Sequence, residues 1–274
     1  MAPVRSRLDS ELVRRKLARS RGQAAELIAA GRVSVNGMPA AKAATVVDRD
    51  APVVVRPGDD GEPEWASRGA RKLVGALEAF TGVDPAGRRC LDAGASTGGF
   101  TDVLLGRGAR RVVAVDVGYG QLVWRLQSDE RVAVHDRTNV RSLEPDAIGG
   151  PVDLTVADLS FISLRTVLPA LLACTAPGGD LLPMVKPQFE VGKQRLGSGG
   201  VVRSAALRTE ALREVADAAA ALGLHLLDAT ASPLPGPSGN VEYFLHLRRP
   251  AGADEPAGPD PEALLAAAVA NGPA

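Results

Sequence analysis

From residue 67 onward the hydrophobic positions alternate between short, nearly continuous apolar runs and longer stretches with apolar residues about three or four positions apart. Runs of the first kind are typical of strands buried on both faces of a sheet, and stretches of the second kind are typical of the helices that cover it. A leading helix is predicted from Gly69 to Phe80. Seven strands are predicted after it, near Cys90, Val113, Val132, Leu154, Leu182, Leu226 and Phe244. With helices between the first six strands, the pattern predicts a doubly wound α/β sheet.

The last two predicted strands are joined without a helix. The segment between them contains Ser232-Pro-Leu-Pro-Gly-Pro-Ser-Gly-Asn240, which is rich in turn residues. Such a connection favours a hairpin, so the seventh strand is expected to run antiparallel to the others. The predicted fold class is therefore α/β, with a Rossmann-like sheet of six parallel strands and a last antiparallel one.

Residues 1–60 show a different pattern, typical of a small α+β domain. Asp9 is placed to cap a helix from Ser10 to Leu17, and Ser20-Arg-Gly-Gln23 is a capping-box sequence that opens a second helix ending at Gly31. A strand-like segment, 33–37, then ends in an Asn-Gly turn, which favours a hairpin with the valines at 46–47 and 53–55 as candidate partners.

The chain is thereby divided into four parts. Residues 1–60 form the small domain, 61–66 belong to a turn-rich linker, 67–249 carry the sheet and 250–274 form a tail. The tail contains five prolines and a short alanine-rich stretch, Pro261 to Asn271, and we expect it to be flexible.

Charge is unevenly distributed, although the 274 residues carry no net charge. Residues 1–49 contain ten Lys and Arg against four Asp and Glu, a balance of +6. This excess favours an anionic partner, and a solvated basic face is the alternative. The residues expected to contact a phosphate backbone are Arg5, Arg7, Arg14, Arg15, Lys16, Arg19 and Arg21.

Cysteine and histidine usage predicts neither a metal site nor a disulfide. Cys90 and Cys174 have no paired spacing, and no two of the three histidines are spaced to share a metal. The amino terminus lacks an apolar stretch after its arginines, and the longest uncharged run, 166–179, is too short to span a bilayer. We therefore expect no signal peptide, no membrane partner and a cytoplasmic location.

Residues 91–105, LDAGASTGGFTDVLL, join an acid, a glycine-rich turn and a helix start directly after an apolar strand. Dinucleotide sites place a phosphate against the N–H groups of such a helix start, and Asp92 would repel it. S-adenosylmethionine carries an ammonium and a sulfonium and no phosphate. An acid just before Gly94, Gly98 and Gly99 therefore favours this cofactor.

Two further acids follow the next two predicted strands. Asp116 ends an apolar run 22 residues after Gly94, the separation expected for an acid that binds a ribose diol. Asp136 follows the third predicted strand and is a candidate acceptor for an adenine amino group. Tight turns with solvated acids are the alternative to this adenosyl pocket.

Four charged residues are expected to converge at one edge of the sheet. Asp158 ends the fourth strand, Lys186 ends the fifth, Glu242 begins the seventh, and Lys72 lies on the leading helix. Methylation of a ribose 2′-hydroxyl needs proton removal, alignment and stabilisation of the forming oxyanion, which two lysines and two acids can supply. Separate surface ion pairs are the alternative interpretation of these residues.

Two resemblances join these observations. The string RLDSELVRRKLARSRGQAAELIAAGRVSVNG resembles the S-four-like RNA-binding module, with a helical docking module as the alternative, and the Lys-Asp-Lys-Glu set resembles the tetrad of FtsJ-type ribose 2′-O-methyltransferases. Together with SRGARKL, DVGYGQL, DRTNVR, VADLSFISL, VKPQFEVGK and PLPGPSGNVEYF, they resemble the TlyA family of ribosomal-RNA cytidine 2′-O-methyltransferases over residues 5–249.

The resemblance implies the common methyltransferase fold, S-adenosylmethionine as cofactor, and cytidine in 16S or 23S rRNA, or both, within ribosomal subunits as substrate. We expect a monomer. The resemblance assigns catalysis to Lys72, Asp158, Lys186 and Glu242. The cofactor pocket is assigned to Asp92, Gly94, Ser96, Gly98, Gly99, Phe100, Asp116, Val117, Asp136 and Asp158. One departure is the Arg-x-Trp-Val tetrapeptide of the family, which here is Pro63-Glu64-Trp65-Ala66.

Lys186 is expected to lie closest to the 2′-oxygen, with Asp158 and Glu242 holding the two lysines. A lysine is normally protonated near neutral pH, so base action by Lys186 would require strong desolvation or the proximity of Lys72. The sequence leaves open which group takes the proton.

Three other functions are weighed against this one. Methylation of an RNA base ordinarily requires an aromatic pocket, and aromatic residues are only 3% of the chain, although Phe161, Phe189 and Tyr243 could hold a nucleoside. A membrane-active protein would need an amphipathic or spanning segment. An RNA-binding assembly factor with a vestigial pocket would not need the four charged residues.

Overall fold

The computed structural model describes residues 5–18, 20–56, 65–252, 255 and 258–273. The chain divides into two compact units, Met1–Glu64 and Trp65–Ala274. Each unit has a hydrophobic core of its own.

Within its described residues, the first unit contains two helices and two small sheets. Its elements are β1 (Arg5–Arg7), α1 (Leu8–Arg14), α2 (Arg21–Ala29), β2 (Val33–Val35), β3 (Met38–Pro39), β4 (Val46–Asp48) and β5 (Val53–Val55). β1 pairs with β4, and β2 lies between β3 and β5. Leu8 and Leu12 of α1 pack with Ala24 and Ile28 of α2 in the core.

Three sequence predictions for this unit can be compared with the structure. Ser20 caps α2 as predicted, because its hydroxyl accepts the Gln23 N–H at 3.2 Å. The cap assigned to Asp9 is wrong, since α1 begins at Leu8, two residues before the predicted start, and Asp9 lies inside the helix. The strand pairing is half right: β5 pairs with β2, but Val46 and Val47 pair with β1.

The second unit carries a large sheet with helices on both faces. Its elements are α3 (Ala70–Ala79), β6 (Arg89–Ala93), α4 (Gly99–Gly106), β7 (Arg111–Val115), α5 (Trp124–Gln127), β8 (Val132–His135), β9 (Val152–Ala157), α6 (Leu164–Cys174), β10 (Thr175–Val185), α7 (Pro187–Glu190), α8 (Ala205–Ala221), β11 (His225–Ala231), β12 (Tyr243–Arg248) and α9 (Pro261–Ala270).

The strand order is β11-β12-β10-β9-β6-β7-β8. β12 is antiparallel to both of its neighbours, and the other pairs are parallel. The predicted sheet of six parallel strands and a last antiparallel one is therefore confirmed. One face packs against α6, α8 and α9, and the other against α3 and α4.

The second unit differs from the sequence prediction in two places. No α-helix joins β8 to β9; two short 3₁₀ helices, Val140–Ser142 and Pro145–Ile148, do so. The tail predicted to be flexible contains α9, whose Leu265 and Ala268 are buried in the core against the sheet.

Trp65 and Ala66, the two residues of the predicted linker that the structure describes, belong to the second unit. Trp65 packs against the core that contains α3 and α4, and the Ala66 N–H donates to Asp102 Oδ2 at 2.7 Å. Pro63 and Glu64, the other half of the variant tetrapeptide, lie outside the described residues.

Within the described ranges, none of the helices combines the length and the apolar character needed to cross a membrane.

Candidate active site

Lys72 and Glu242 form a buried ion pair. Lys72 is in the first turn of α3, and Glu242 lies immediately before β12. Lys72 Nζ donates to Glu242 Oε2 at 2.5 Å, and both side chains are almost fully buried. Burial weakens solvent screening, so the pair joins the helix firmly to the start of the strand.

Lys186 has two partners on the loop after β9. Its Nζ lies 2.6 Å from Asp158 Oδ1 and donates to Ser160 Oγ at 3.0 Å. The side chain of Lys186 is buried, whereas that of Asp158 is about a quarter exposed. The Lys186 ammonium is therefore held between the Asp158 carboxylate and the Ser160 hydroxyl. Solvent can reach part of the Asp158 carboxylate.

The strand register brings the two pairs to the same edge of the sheet. Val185 faces Tyr243 across the antiparallel β10–β12 pair, so Lys186 and Glu242, the next residues outward, are neighbours. Asp158 follows the last residue of β9. All four residues predicted to carry out catalysis therefore come together where the parallel strands end.

The cofactor motif ends at this same edge. The Asp158 N–H donates to Ala93 O at 3.0 Å, which joins the loop after β9 to the end of β6. Gly94 has φ +88, and a Cβ there would lie 2.4 Å from Asp158 O. Glycine is therefore required both by the backbone conformation and by the closeness of the loop after β9.

Asp92 is fully buried near the end of β6. Its Oδ2 accepts a hydrogen bond from Thr101 Oγ1 at 2.7 Å, while Oδ1 has no hydrogen-bond partner among the residues that the structure describes. Burial raises the pKa of the Asp92 carboxyl to about 7, against an opposing effect of the Thr101 hydrogen bonds. A buried acceptor without a partner fits the ammonium of S-adenosylmethionine and does not fit a phosphate.

Asp116 organises the glycine-rich turn. Its Oδ2 accepts from the Ser96 N–H at 2.8 Å, and its Oδ1 accepts from the Gly118 N–H at 2.7 Å. A carboxylate oxygen can accept more than one hydrogen bond, so this position remains suited to a ribose diol. Asp136, after the neighbouring strand β8, accepts from the Gly120 N–H at 2.8 Å.

Four other residues were predicted to line the cofactor pocket, and they differ in how exposed they are. Gly98 and Gly99 are buried at the start of α4, where the Gly98 N–H donates to Ala95 O at 2.7 Å. The Phe100 ring packs in the core against Phe244, with ring centroids 5.9 Å apart, so the backbone N–H is what Phe100 can offer. Val117 is 69% exposed beside Asp116, and an adenine ring could cover it.

The predicted RNA-contacting arginines are held by two buried acids. Asp9 accepts from Arg7 at 2.9 Å and from Arg21 at 3.0 Å, and these partners lower the pKa of the Asp9 carboxyl. Glu11 accepts from Arg14 at 2.5 Å and Arg15 at 2.7 Å, and these partners lower the pKa of its carboxyl. A guanidinium has five N–H donors, so a paired arginine can still contact a phosphate.

The other three residues predicted to contact RNA do not bind Asp9 or Glu11 among the described contacts. Arg5 pairs with Asp48 at 2.9 Å on the surface. Lys16 follows α1 with φ +60. Arg19 lies outside the described residues.

The sequence analysis missed three residues that organise the site. Thr101 donates a hydrogen bond to Asp92, Ser160 accepts one from Lys186, and Glu190 accepts one from Ser163 at the end of the loop after β9. Thr101 and Ser160 lie inside motifs that were already singled out, so their hydroxyls could have been noticed. Glu190 also lies inside such a motif, VKPQFEVGK, but nothing in that string indicates which segment its carboxylate binds.

A separate surface cavity of about 360 Å³ lies at the opposite edge of the sheet, lined by Leu172, Leu222, Gly223, His225, Arg249, Pro250 and Gly252. His225 begins β11 and Arg249 follows β12, so the cavity is near the edge where the parallel strands begin. It shares no residue with the four charged groups or with the glycine-rich turn.

Comparison with known families gives two matches. The family described as FtsJ-like methyltransferase matches residues 65–249. The family described as S4 domain matches residues 6–53. The first match covers most of the second structural unit and more than half of the chain.

Individual relatives agree with these matches. The 16S/23S rRNA (cytidine-2'-O)-methyltransferase TlyA of Mycobacterium tuberculosis is 64% identical over 245 residues, which is 89% of this chain and 90% of that protein. YqxC of Bacillus subtilis, provisionally named an rRNA methyltransferase, is 41% identical over 257 residues, 93% of this chain and 90% of that protein. A solved protein from Streptococcus thermophilus, provisionally named a hemolysin, aligns with a TM-score of 0.76 and 35% identity over 98% of this chain and 96% of that chain.

Proposed function

The chain belongs to the FtsJ-like methyltransferase family and, within it, to the TlyA group, and on this basis we propose that it methylates ribose 2′-hydroxyls of ribosomal RNA with S-adenosylmethionine. The target nucleoside is cytidine, in 16S rRNA, 23S rRNA or both. The protein acts as a monomer in the cytoplasm, on rRNA within ribosomal subunits, and requires no metal.

One observation carries this proposal: two buried or half-buried Lys–carboxylate pairs lie beside the glycine-rich turn of a methyltransferase sheet. Lys186 contacts Asp158 at 2.6 Å, and the Asp158 backbone meets the end of β6 next to Gly94. A ribose 2′-oxygen that binds Lys186 would therefore lie close to Gly94, at the end of the cofactor motif.

S-adenosylmethionine, when bound, supplies a methyl group on a positively charged sulfur. The residues that would hold it are Asp92 for the ammonium, Asp116 for the ribose and the start of α4 for the rest of the amino-acid portion. The Asp92 Oδ1 without a partner among the described residues supports this assignment.

Lys186 acts on the 2′-oxygen of the target ribose. Its ammonium, fixed by Asp158 and Ser160, donates a hydrogen bond to that oxygen and stabilises the negative charge that forms on it. The hydroxyl proton leaves through Asp158, whose carboxylate is the more exposed of the two acids. Lys72 and Glu242 hold the edge of the site and balance its charge.

The first unit binds the rRNA. Its arginines are presented by Asp9 and Glu11 in fixed orientations, which reduces the entropy lost when they contact phosphates. Binding of this kind positions the substrate without reading its sequence. Choice of the nucleotide then depends on how the second unit receives the target.

The direct test is mass-spectrometric mapping of methyl groups on ribosomal subunits incubated with the protein and isotopically labelled S-adenosylmethionine. We expect label on the ribose 2′-oxygen of a cytidine. Lys186→Ala protein is the matched control and should add none. Label on a base, or no label with unmodified protein, contradicts the proposal.

A further inference from the structure

The loop that follows β9 carries most of the groups that meet Lys186. Residues 158–163 connect β9 to α6 without regular structure and contain both Asp158 and Ser160. Within this loop Phe161 has φ +63 and is 91% exposed. A left-handed conformation is unfavourable for a bulky side chain, so other contacts must hold the loop in place.

Glu190 supplies such contacts from the segment that carries Lys186. It is the last residue of α7, a single turn that starts directly after Lys186. Its Oε2 accepts from Ser163 Oγ at 2.6 Å, and its Oε1 accepts from the Leu164 N–H at 2.8 Å. The side chain is only 1% exposed. Both carboxylate oxygens therefore bind the far end of the catalytic loop.

These bonds also complete the start of α6. Ser163 occupies the N-cap position, but its hydroxyl makes no cap bond within the helix and donates to Glu190 instead. The Leu164 N–H, one of the first N–H groups of the helix, would otherwise lack an acceptor. A carboxylate is favoured there by the helix dipole as well.

The loop between Asp158 and Ser163 is thus held at both ends by one short segment. Lys186 contacts Asp158 and Ser160 at the beginning, and Glu190 contacts Ser163 and Leu164 at the end. Phe189 adds a ring contact to Phe161, with centroids 5.3 Å apart. Loss of the Glu190 contacts would leave the unfavourable backbone of this loop free to relax.

We propose that Glu190 is a positioning residue for methyl transfer: its buried carboxylate holds the 158–163 loop against the segment that carries Lys186, and so fixes Asp158 and Ser160 on the Lys186 ammonium. This inference rests on the proposed function for its effect on rate. It predicts that Glu190 affects the chemical step and leaves binding of cofactor and subunit unchanged.

Arg165 offers a matched control. Its guanidinium lies 3.5 Å from Glu190 Oε2 and 2.9 Å from Glu214 Oε2, which belongs to α8. Glu214→Gln removes a carboxylate from the same arginine but touches neither Ser163 nor Leu164. Glu190→Gln keeps an acceptor oxygen for the Leu164 N–H, but it removes the negative charge at the start of α6 and leaves the Ser163 hydroxyl proton without its carboxylate acceptor.

The test measures kcat, KM for ribosomal subunits and the dissociation constant of S-adenosylmethionine for full-length Glu190→Gln, Ser163→Ala and Glu214→Gln proteins. We expect Glu190→Gln to lower kcat about tenfold or more, because a small misplacement of reacting groups has effects of this size. KM and cofactor affinity should stay within about twofold. Ser163→Ala, which removes one of the two bonds, should lower kcat less, and Glu214→Gln should leave it unchanged.

Hydrogen exchange of the intact proteins gives a readout that does not depend on activity. Amides in residues 158–165 should exchange faster in Glu190→Gln than in Glu214→Gln or unmodified protein. Unchanged exchange there, or a kcat of folded Glu190→Gln equal to that of Glu214→Gln, overturns the inference. If Glu190→Gln does not fold, Ser163→Ala decides by the same two measurements. Unmodified protein that methylates no ribose refutes the proposed function, and the exchange experiment still decides the role of Glu190.

Discussion

Lys72 Nζ and Glu242 Oε2 lie 2.5 Å apart, although 170 residues separate the two in the chain. The side chains are 8% and 1% exposed, so water does little to replace either partner. The pair therefore joins α3, at the start of the second unit, to the entry of β12. Because Glu242 is next to Lys186 across the sheet, this contact also determines the charge around the proposed catalytic lysine.

Glu242→Gln should destabilise the protein strongly. The substitution leaves the buried Lys72 ammonium without a counter-charge, and breaking such a pair lowers the free energy of unfolding by about 3 to 5 kcal/mol. Denaturant-induced unfolding of the full chain measures this. Glu210→Gln is the control, because the Arg195–Glu210 pair is 41% exposed on both sides and its loss should cost less than about 1 kcal/mol. Equal losses for the two variants would show that the Lys72–Glu242 pair is not effectively buried.

Affinity for S-adenosylmethionine should depend on pH through Asp92. The pKa of this carboxyl is raised to about 7 by burial, and the cofactor ammonium favours its ionised form. Affinity should therefore rise about fivefold between about pH 6 and pH 7, where the cofactor amine is still protonated, and binding should release a proton. Calorimetric titration in buffers of different ionisation enthalpy measures both effects. Asp92→Asn should bind more weakly with a flat pH profile, and the same slope in that variant would assign the titration to another group.

Asp92 should also affect stability in a defined direction. Its pKa in the folded chain lies above the ordinary 3.8, so the folded state holds the proton more tightly than the unfolded state between about pH 4 and pH 7. The contribution to the free energy of unfolding is fully present below about pH 4 and is lost as pH rises through about 7. Asp92→Asn should remove this decline, and an unaltered decline in that variant would contradict the shifted pKa.

Arg21→Ala should weaken rRNA binding and reduce its salt dependence. Each lost phosphate contact lowers the slope of log affinity against log salt by about 1. Asp9 keeps Arg7 as a partner, so the first unit should stay folded. Arg131→Ala serves as the control, because Arg131 pairs with Asp129 in the second unit and is outside the predicted RNA-contacting set. Affinity measured across a series of salt concentrations should separate the variants, and identical slopes would exclude Arg21 from the interface.

The sequence predicted the sheet and the site where local pattern and tertiary structure agree. In β7, for example, the four residues after Arg111 are all apolar and all buried, as a central parallel strand requires. Asp116 and Asp158 each directly follow such a run. Once the strand ends share an edge, their proximity follows from topology alone, without any knowledge of side-chain contacts.

Contacts between distant segments could not be predicted in this way. Asp9 has the sequence context of a helix cap, but Leu8 is drawn into the core, the helix starts earlier, and Asp9 binds Arg7 and Arg21 instead. Glu190 caps a helix that starts 26 residues before it. Local propensity does not indicate which remote acceptor will satisfy a helix N–H group.

The carboxyl-terminal helix was missed for a related reason. Prolines in the tail favoured flexibility, yet Pro261 is at the first position of α9, where the missing N–H is not needed. Leu265, Ala268 and Val269 are spaced to face one side, and they are buried against the sheet. The apolar stripe is short, so its burial depends on a surface that only the folded sheet provides.

The central claim is that Lys186 activates a ribose 2′-oxygen beside a methyl donor, and single-turnover methyl transfer by Lys186→Ala tests it most directly. Calorimetry on the same protein should give a dissociation constant for S-adenosylmethionine within about twofold of the unmodified value. The reason is that Lys186 contacts the target ribose and not the cofactor, so its loss removes an interaction made in the transition state. The rate of transfer to ribosomal subunits should fall about a hundredfold to a thousandfold, the range for loss of one oxyanion-stabilising donor. A rate within about tenfold of the unmodified protein would contradict the account, since that is less than the loss expected for even one such donor.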